Sequence, residues 1–225
     1  SKFFYHLVKR LLDIVLSLTS IIFIIPILIP IIIILRFTGE GEIFYLQDRV
    51  GLGLKDIKIF KFATMLKDSE NLGSGIYTSK EDERVLPFGK FLRKTKINEL
   101  PQLVNILKGD MTIVGPRPLI RETFELYDKE DQVKISSIRP GLTGIGSIVF
   151  RSEDEILEKS DIPLDQFYEK HITPFKAKLE NWYLSNMSLI TDIKIILLTV
   201  LIIIFPKKEF FSIFFNDLPE INFLD

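Results

Sequence analysis

Apolar residues are spread unevenly along this chain. Residues 14–35 form a run of 22 positions without a charge, long enough to cross a bilayer core as one helix. Lys9, Arg10 and Asp13 precede the run and Arg36 follows it. Pro26 and Pro30 lie inside it. Each proline removes a helical hydrogen bond and clashes with the carbonyl four residues back. Two of them, four apart, favour a sharp break and a segment that enters and leaves the membrane by the same face. Basic residues at both ends suit that reading; a spanning helix with a kink is the alternative. A cleaved signal peptide fits poorly, because the apolar run is too long and no small-residue cleavage site follows. A second apolar run, residues 195–205, is interrupted only by Thr199 and closed by Pro206, Lys207 and Lys208. It is too short to span comfortably. Phe210, Phe211, Phe214 and Phe215 then recur at helical spacing. This pattern predicts helices lying in the membrane interface with lysines at the headgroups, or else a buried core helix followed by a tail.

Between these runs the pattern changes. Residues 42–65 alternate aromatic and β-branched positions around Gly51-Leu52-Gly53, which predicts a strand pair with Lys61 late in the second strand. Residues 68–83 are polar and predict a loop. Residues 88–96 predict a short basic helix presenting Lys90, Arg93, Lys94 and Lys96. Leu100, Leu103, Val104 and Leu107 then follow the spacing of a helix with one buried face. Asn98 is a favoured N-cap, Pro101 falls in the first turn where proline is tolerated, and Gly109 ends the helix. Glu99 would sit in the first turn, where unpaired backbone N–H groups and the helix dipole favour negative charge. Thr112-Ile113-Val114 predicts a short strand feeding Arg117, which is framed by Gly115, Pro116 and Pro118. Residues 139–146 form a rigid, glycine-rich turn. Residues 154–180 read as mostly charged helix, interrupted near Pro163 and Pro174.

Composition narrows the chemistry. The net charge is −1, so no global basic field points to nucleic acid. Hydrophobic residues make up 47% and charged residues 26%, and the mean hydropathy of +0.24 is high for that charge content. The absence of cysteine excludes disulfides, zinc–thiolate sites and thiol catalysis. His6 and His171 are the only histidines; the first is membrane-proximal and the second lies in a charged segment, so imidazole catalysis is a poor expectation. What remains is a carboxylate at a helix start and a proline-framed arginine, and phosphate chemistry with a metal needs both.

The landmarks now form an ordered series: Lys9-Arg10 with Asp13, Pro26, Gln47-Asp48-Arg49-Val50-Gly51, Lys61-Phe62, Thr64-Met65 and Phe91-Leu92-Arg93. Glu99-Leu100-Pro101-Gln102-Leu103, Leu107-Lys108-Gly109-Asp110-Met111, Gly115-Pro116-Arg117-Pro118 and Arg139-Pro140-Gly141-Leu142-Thr143-Gly144 complete it. In these the chain resembles the bacterial sugar transferases, the monotopic polyprenyl-phosphate phosphoglycosyl transferases. The resemblance implies an α+β, membrane-associated protein: a re-entrant helix broken at proline (residues 1–36), a small mixed catalytic domain in the cytoplasm (37–192) and C-terminal interfacial helices with a tail (193–225). It implies transfer of a sugar-1-phosphate from a UDP-sugar to undecaprenyl phosphate with Mg2+, releasing UMP, at the cytoplasmic face of the bacterial inner membrane among membrane lipids, and it leaves a homodimer open. Glu99 is then the natural magnesium ligand, with Lys61, Arg93 and Arg117 near the phosphates. Pro116, Pro118, Arg139, Gly141, Thr143 and Arg84 join the substrate-binding positions.

One departure stands at the centre. The family usually carries Asp-Glu where this chain has Asn98-Glu99, and in those members the aspartate is the nucleophile. An amide is neutral and cannot take that role. Ala63 and Ser147 also depart, from a basic residue and a glutamine. Three readings follow: an active variant working through Glu99, as nucleophile or as metal ligand and base; an inactivated enzyme; or a membrane scaffold.

Overall fold

The computed structural model describes residues 2–67, 69, 82–151, 153–158, 163–205 and 210–219. It is a mixed helix and strand protein with a long apolar N-terminal helix. Helix α1, Lys2–Phe37, stays helical through both Pro26 and Pro30, so the break expected there is absent. The physical reason lies in spacing and packing. Residues four apart lie on one helix face, so both missing hydrogen bonds fall on a single stripe. The helix is also held on either side of the prolines. Ile21 and Ile24 pack on a cluster of Ile59, Leu103, Ile106 and Met111. Leu28, Ile31, Ile32 and Leu35 pack with Phe62 and Leu92. At about 1.5 Å per residue the helix is roughly 54 Å long, well beyond a hydrocarbon core of about 30 Å. Its outer face carries Ile22, Phe23, Ile29 and Ile33, all more than half exposed.

The polar end of α1 is fastened by specific bonds. Asp13 is buried and accepts from Thr112 Oγ1 at 2.7 Å and Ile113 N at 2.9 Å. Arg10 donates to the carbonyls of Ile106 and Leu107 at 2.6 and 2.9 Å, satisfying orphan acceptors at a helix C-terminus. Lys9 pairs with Asp192 at 2.7 Å, and Tyr5 and Tyr183 bond the same carboxylate.

Strands β1 (Phe44–Val50) and β2 (Asp56–Phe62) form an antiparallel hairpin in which Tyr45 opposes Lys61 and Gln47 opposes Ile59. A short 3-10 turn at Leu52–Leu54 joins them, with Gly53 and Leu54 at φ of +65° and +63°. Of the loop expected over 68–83, only Ser69, Asp82 and Glu83 lie within the described residues. Helix α2, Pro87–Lys94, is the expected basic helix. The next element differs from expectation. A separate 3-10 turn, Ile97–Glu99, precedes α3, Gln102–Lys108, whose N-cap is Pro101 and not Asn98. Pro101 has no N–H and crowds the carbonyl four residues back, so the backbone bonds here span three residues, from Glu99 N to Lys96 O through to Val104 N to Pro101 O. Gly109 ends α3 as expected, at φ +92°.

Strand β3, Thr112–Val114, precedes α4 (Arg121–Phe124) and α5 (Lys129–Ile135), and pairs in parallel with β4, Gly141–Thr143. Helices α6 (Ile145–Val149), α7 (Glu153–Glu158) and α8 (Leu164–Phe167) follow. The chain restarts at α8 just after Pro163, as expected. Near Pro174 it is not interrupted: a π turn, Tyr168–Ile172, runs directly into α9, Thr173–Ser185. Pro174 lies in the first turn of α9, and the widened turn absorbs its missing donor. Helix α10, Leu189–Ile204, is capped by Ser188 Oγ on Thr191 N at 3.1 Å, and α11 is Phe211–Phe214. The second apolar run is both buried and exposed. Ile195, Leu198 and Ile202 enter the main core with Ile145, Ile172, Leu179 and Tyr183, while Ile193, Leu197 and Ile203 remain about half exposed. His6 is exposed and His171 half-buried against Phe167.

Asp13→Ala would leave a hydroxyl and an N–H unpaired beneath α1. The expected cost is about 2–3 kcal/mol, read as a lowered unfolding midpoint in detergent. An unchanged midpoint would show that Asp13 does not fasten the helix.

Candidate active site

Glu99 closes the 3-10 turn after α2, and its side chain is 17% exposed. Opposite it stands Arg117, whose Nη2 lies 3.6 Å from Glu99 Oε1. The Gly-Pro-Arg-Pro turn that presents Arg117 is tied down at every residue. Gly115 N donates to Thr143 O at 2.9 Å and Gly141 N to Pro116 O at 2.8 Å. Arg117 N reaches Glu180 Oε1 at 3.4 Å, and Pro118 O accepts from Arg49 Nη1 at 3.1 Å. The turn lies so close to the next strand that a Cβ on Gly141 would sit 2.2 Å from Gly115 N, and one on Gly144 2.1 Å from Gly115 O. The glycines of the 139–146 turn thus let two backbones meet.

The hairpin supplies the other wall. Strand residues alternate faces, so Gln47 and Arg49 share a face with Lys61 across the register. Gln47 Oε1 accepts from Arg49 Nη2 at 2.6 Å and from Lys61 Nζ at 3.2 Å. Together these groups floor a cleft of about 1400 Å³, which Arg93, Asn98, Glu153 and Lys176 also line. Ile196, Val200 and Ile203 of α10 form its apolar side.

The charges are strongly coupled. Burial pushes the Glu99 carboxyl up, but Arg117, Lys61, Lys96 and Arg49 outweigh it and hold the group below the usual carboxylate range. Burial and then Arg49 push Lys61 well below the usual lysine range, although its ammonium edge opens on the cleft. Arg49 is lowered to about 10 by burial and by Arg117. Arg117 is raised, first by Glu99. Three cations thus crowd one carboxylate in a low-dielectric setting. Such an arrangement favours a further multiply charged anion and stabilises charge spread over phosphate oxygens.

The profile of the family described as "Bacterial sugar transferase" matches residues 4–206. The chain belongs to the bacterial sugar transferase family. It is 31% identical over 200 residues to the UDP-N-acetylgalactosamine-undecaprenyl-phosphate N-acetylgalactosaminephosphotransferase of Aeromonas hydrophila, covering 87% of this chain and 43% of that protein. It is 30% identical over 206 residues to the exopolysaccharide production protein ExoY of Sinorhizobium fredii, covering 85% and 83%. It is 37% identical over 195 residues to the UDP-glucose:undecaprenyl-phosphate glucose-1-phosphate transferase of Klebsiella pneumoniae, covering 85% and 39%. The chain therefore spans less than half of the first and third of these relatives and most of the second.

Of the positions expected from sequence, Glu99, Asn98, Lys61, Arg93, Arg117, Thr143 and Arg84 all line the cleft. Arg84 bonds Asp82 through Nε and Nη2, at 2.8 and 2.6 Å. Arg139 stands apart: its Nε caps the carbonyl of Gly109 at 2.7 Å, in a smaller hollow beside Arg10 and Asp13. Pro116, Pro118 and Gly141 serve the turn through their backbones. Asn98 is 7% exposed, and its Oδ1 has no hydrogen-bond partner among the described residues. Magnesium often takes only one or two protein oxygens, leaving its other positions to water and substrate phosphates. The Glu99 carboxylate and the orphan Asn98 oxygen fit such a donor set, although no cluster of three acidic or imidazole ligands occurs among the described residues.

Gln47 and Arg49 stood in the sequence only as landmarks of the ordered series, and Glu153, Tyr168, Lys176 and Glu180 were not among the expected site positions. Lys176 is buried, bonds Glu153 at 2.8 Å and donates to Tyr168 Oη at 2.7 Å. Glu180 is buried behind the arginine turn, and its carboxyl is raised by burial to about 8. Gly146 leaves room for it; a Cβ there would lie 2.4 Å from Glu180 Oε1.

The pH dependence of stability follows from Glu180. The folded carboxyl keeps its proton to about 8, whereas the ordinary value is 4.5. Between these values the folded state binds more protons than the unfolded state, so stability falls as pH rises through the window and levels off above it. Glu180→Gln should remove that component. In urea denaturation the variant should gain on wild type from pH 5 to pH 8, by a few kcal/mol at the upper end. Parallel pH profiles would refute the assignment.

Proposed function

We propose that the chain moves a sugar-1-phosphate from a UDP-sugar to undecaprenyl phosphate and releases UMP, the membrane step that begins cell-surface glycan assembly. The observation that carries this reading is the ionised carboxylate of Glu99, set among Lys61, Arg49 and Arg117 on the floor of a cleft with an apolar side. A nucleoside diphosphate and a phosphorylated lipid together need cations for several phosphate charges and an apolar surface for a chain. Two similar proteins bear names of this reaction type with different sugars, so the sugar itself is left open.

In the direct route an oxygen of the lipid phosphate forms a bond to the β-phosphorus of the donor, and the bond from that phosphorus to the oxygen bridging it to the α-phosphate breaks; in the two-step route a Glu99 oxygen makes that bond first, and the lipid phosphate then displaces the Glu99 oxygen from the phosphorus. UMP leaves with that oxygen and its electron pair. The attacking phosphate is already an oxyanion and needs no base. A carboxylate held below its usual range is a poor general base, which fits Glu99 as nucleophile or as metal ligand. Mg2+ would be held by Glu99 and Asn98 Oδ1, and would neutralise charge on the transferring phosphates. Arg117 and Arg49 contribute planar, multidentate donors to the same oxygens, and Lys61 a compact charge.

The reading also sets the protein in the bacterial inner membrane, with its cleft at the cytoplasmic face and α1, unbroken at its prolines, lying along the membrane interface without crossing it. One stripe of α1 is fastened to the domain from Tyr5 to Leu35. A helix standing straight across a bilayer could not keep such contacts along its whole length with a domain in water. The retained cluster of Glu99, Lys61, Arg93 and Arg117 favours an enzyme over a scaffold.

Glu99→Gln should lower UMP release from UDP-sugar and undecaprenyl phosphate by about a thousandfold, and full activity in that variant would sink the proposal. Intact mass measurement with UDP-sugar and no acceptor separates the two routes. An adduct on Glu99 marks a two-step path, and turnover without an adduct marks direct transfer.

A further inference from the structure

Gln47 holds an unusual position. Its carboxamide oxygen is shared by two cations, Arg49 at 2.6 Å and Lys61 at 3.2 Å. Arg49 is fixed from the other side by Pro118 O at 3.1 Å, while its Nε is buried with no partner among the described residues. The two side chains are thus brought side by side facing the cleft, with Arg117 near enough to repel both. A residue serving only to tie the hairpin together would do so better as glutamate, which would pair with both cations and relieve their repulsion. A glutamine orients the two side chains without neutralising either. Two adjacent cations with an unspent buried donor suit phosphate oxygens.

We propose that Gln47 is a positioning residue that sets Arg49 and Lys61 as a paired clamp for phosphate oxygens, with Arg49 a direct ligand. The inference deepens the reading of this cleft as a phosphoryl-transfer site, and rests on it for the source of the phosphate, which is the donor diphosphate or the acceptor monophosphate. The amide's neutrality is part of its role. A carboxylate at position 47 would hold the same two side chains and cancel one of the charges the ligand needs.

The test uses the full chain in lipid nanodiscs, with inorganic pyrophosphate as calorimetric probe. Gln47→Glu should unfold at or above the wild-type temperature and yet bind pyrophosphate about tenfold more weakly. Gln47→Ala should also bind more weakly, and Arg49→Lys should weaken binding by losing the planar fork while keeping its charge. Wild-type affinity in Gln47→Glu, or no binding by the wild-type chain, would overturn the clamp. UMP-release kinetics then identify the source. A raised KM for the UDP-sugar assigns the clamp to the donor, and a raised KM for the lipid phosphate assigns it to the acceptor. A fall in kcat with both KM values unchanged contradicts it. If pyrophosphate binding follows the expected order but no UMP is released, the clamp stands and the proposed reaction falls.

Discussion

The structure depends on keeping like charges together around one carboxylate. Lys61, Arg49 and Arg117 are each hemmed in by burial and by one another, and Glu99 is the anion that they share. Dehydrating cations without matching anions is costly, so the fold must hold them by other means. It does so with neutral acceptors and rigid backbone: the Gln47 amide, the Pro118 carbonyl, and a proline-framed turn bonded to β4. Glu180 stands behind that turn with its proton retained. A second ionised carboxylate there would compete with Glu99 for Arg117.

The same constraint explains how the long apolar helix and the cleft belong to one unit. The helix α1 contributes to two of the apolar clusters, and its polar end meets β3, α9 and α10 through Asp13 and Lys9. Strand β3 leads directly into the arginine turn. The bonds that fasten α1 therefore also set where Arg117 stands relative to the apolar surfaces.

Much of this was legible from residue patterns. The hairpin, the basic helix α2, the Gly109 stop and the strand into Arg117 all follow local rules of alternation, capping and turn chemistry. Misreadings arose where one local rule competed with another. Asn98 is a good N-cap by type, but Pro101 forces a 3-10 turn and buries it. Pro26 and Pro30 argue for a break, but tertiary packing holds the helix across them. Arg139 was expected among the substrate-binding positions; its Nε meets Gly109 O, and the glycines after it bring the turn against Gly115. Arg49 carried a usable signal, since strand alternation puts it on the same face as Gln47 and Lys61. Lys176 and Glu180 carried none, because only the long-range packing of α9 behind the arginine turn brings them to the cleft.

The central claim is that the cationic floor around Glu99 serves transfer of a phosphate together with its sugar. The most direct measurement supplies UDP-sugar labelled with 32P at the β-phosphate, together with undecaprenyl phosphate, and follows the label. The account predicts that the label moves into the lipid fraction while unlabelled UMP stays in water. Label remaining in the aqueous phase as UDP, with unlabelled lipid product, would contradict it.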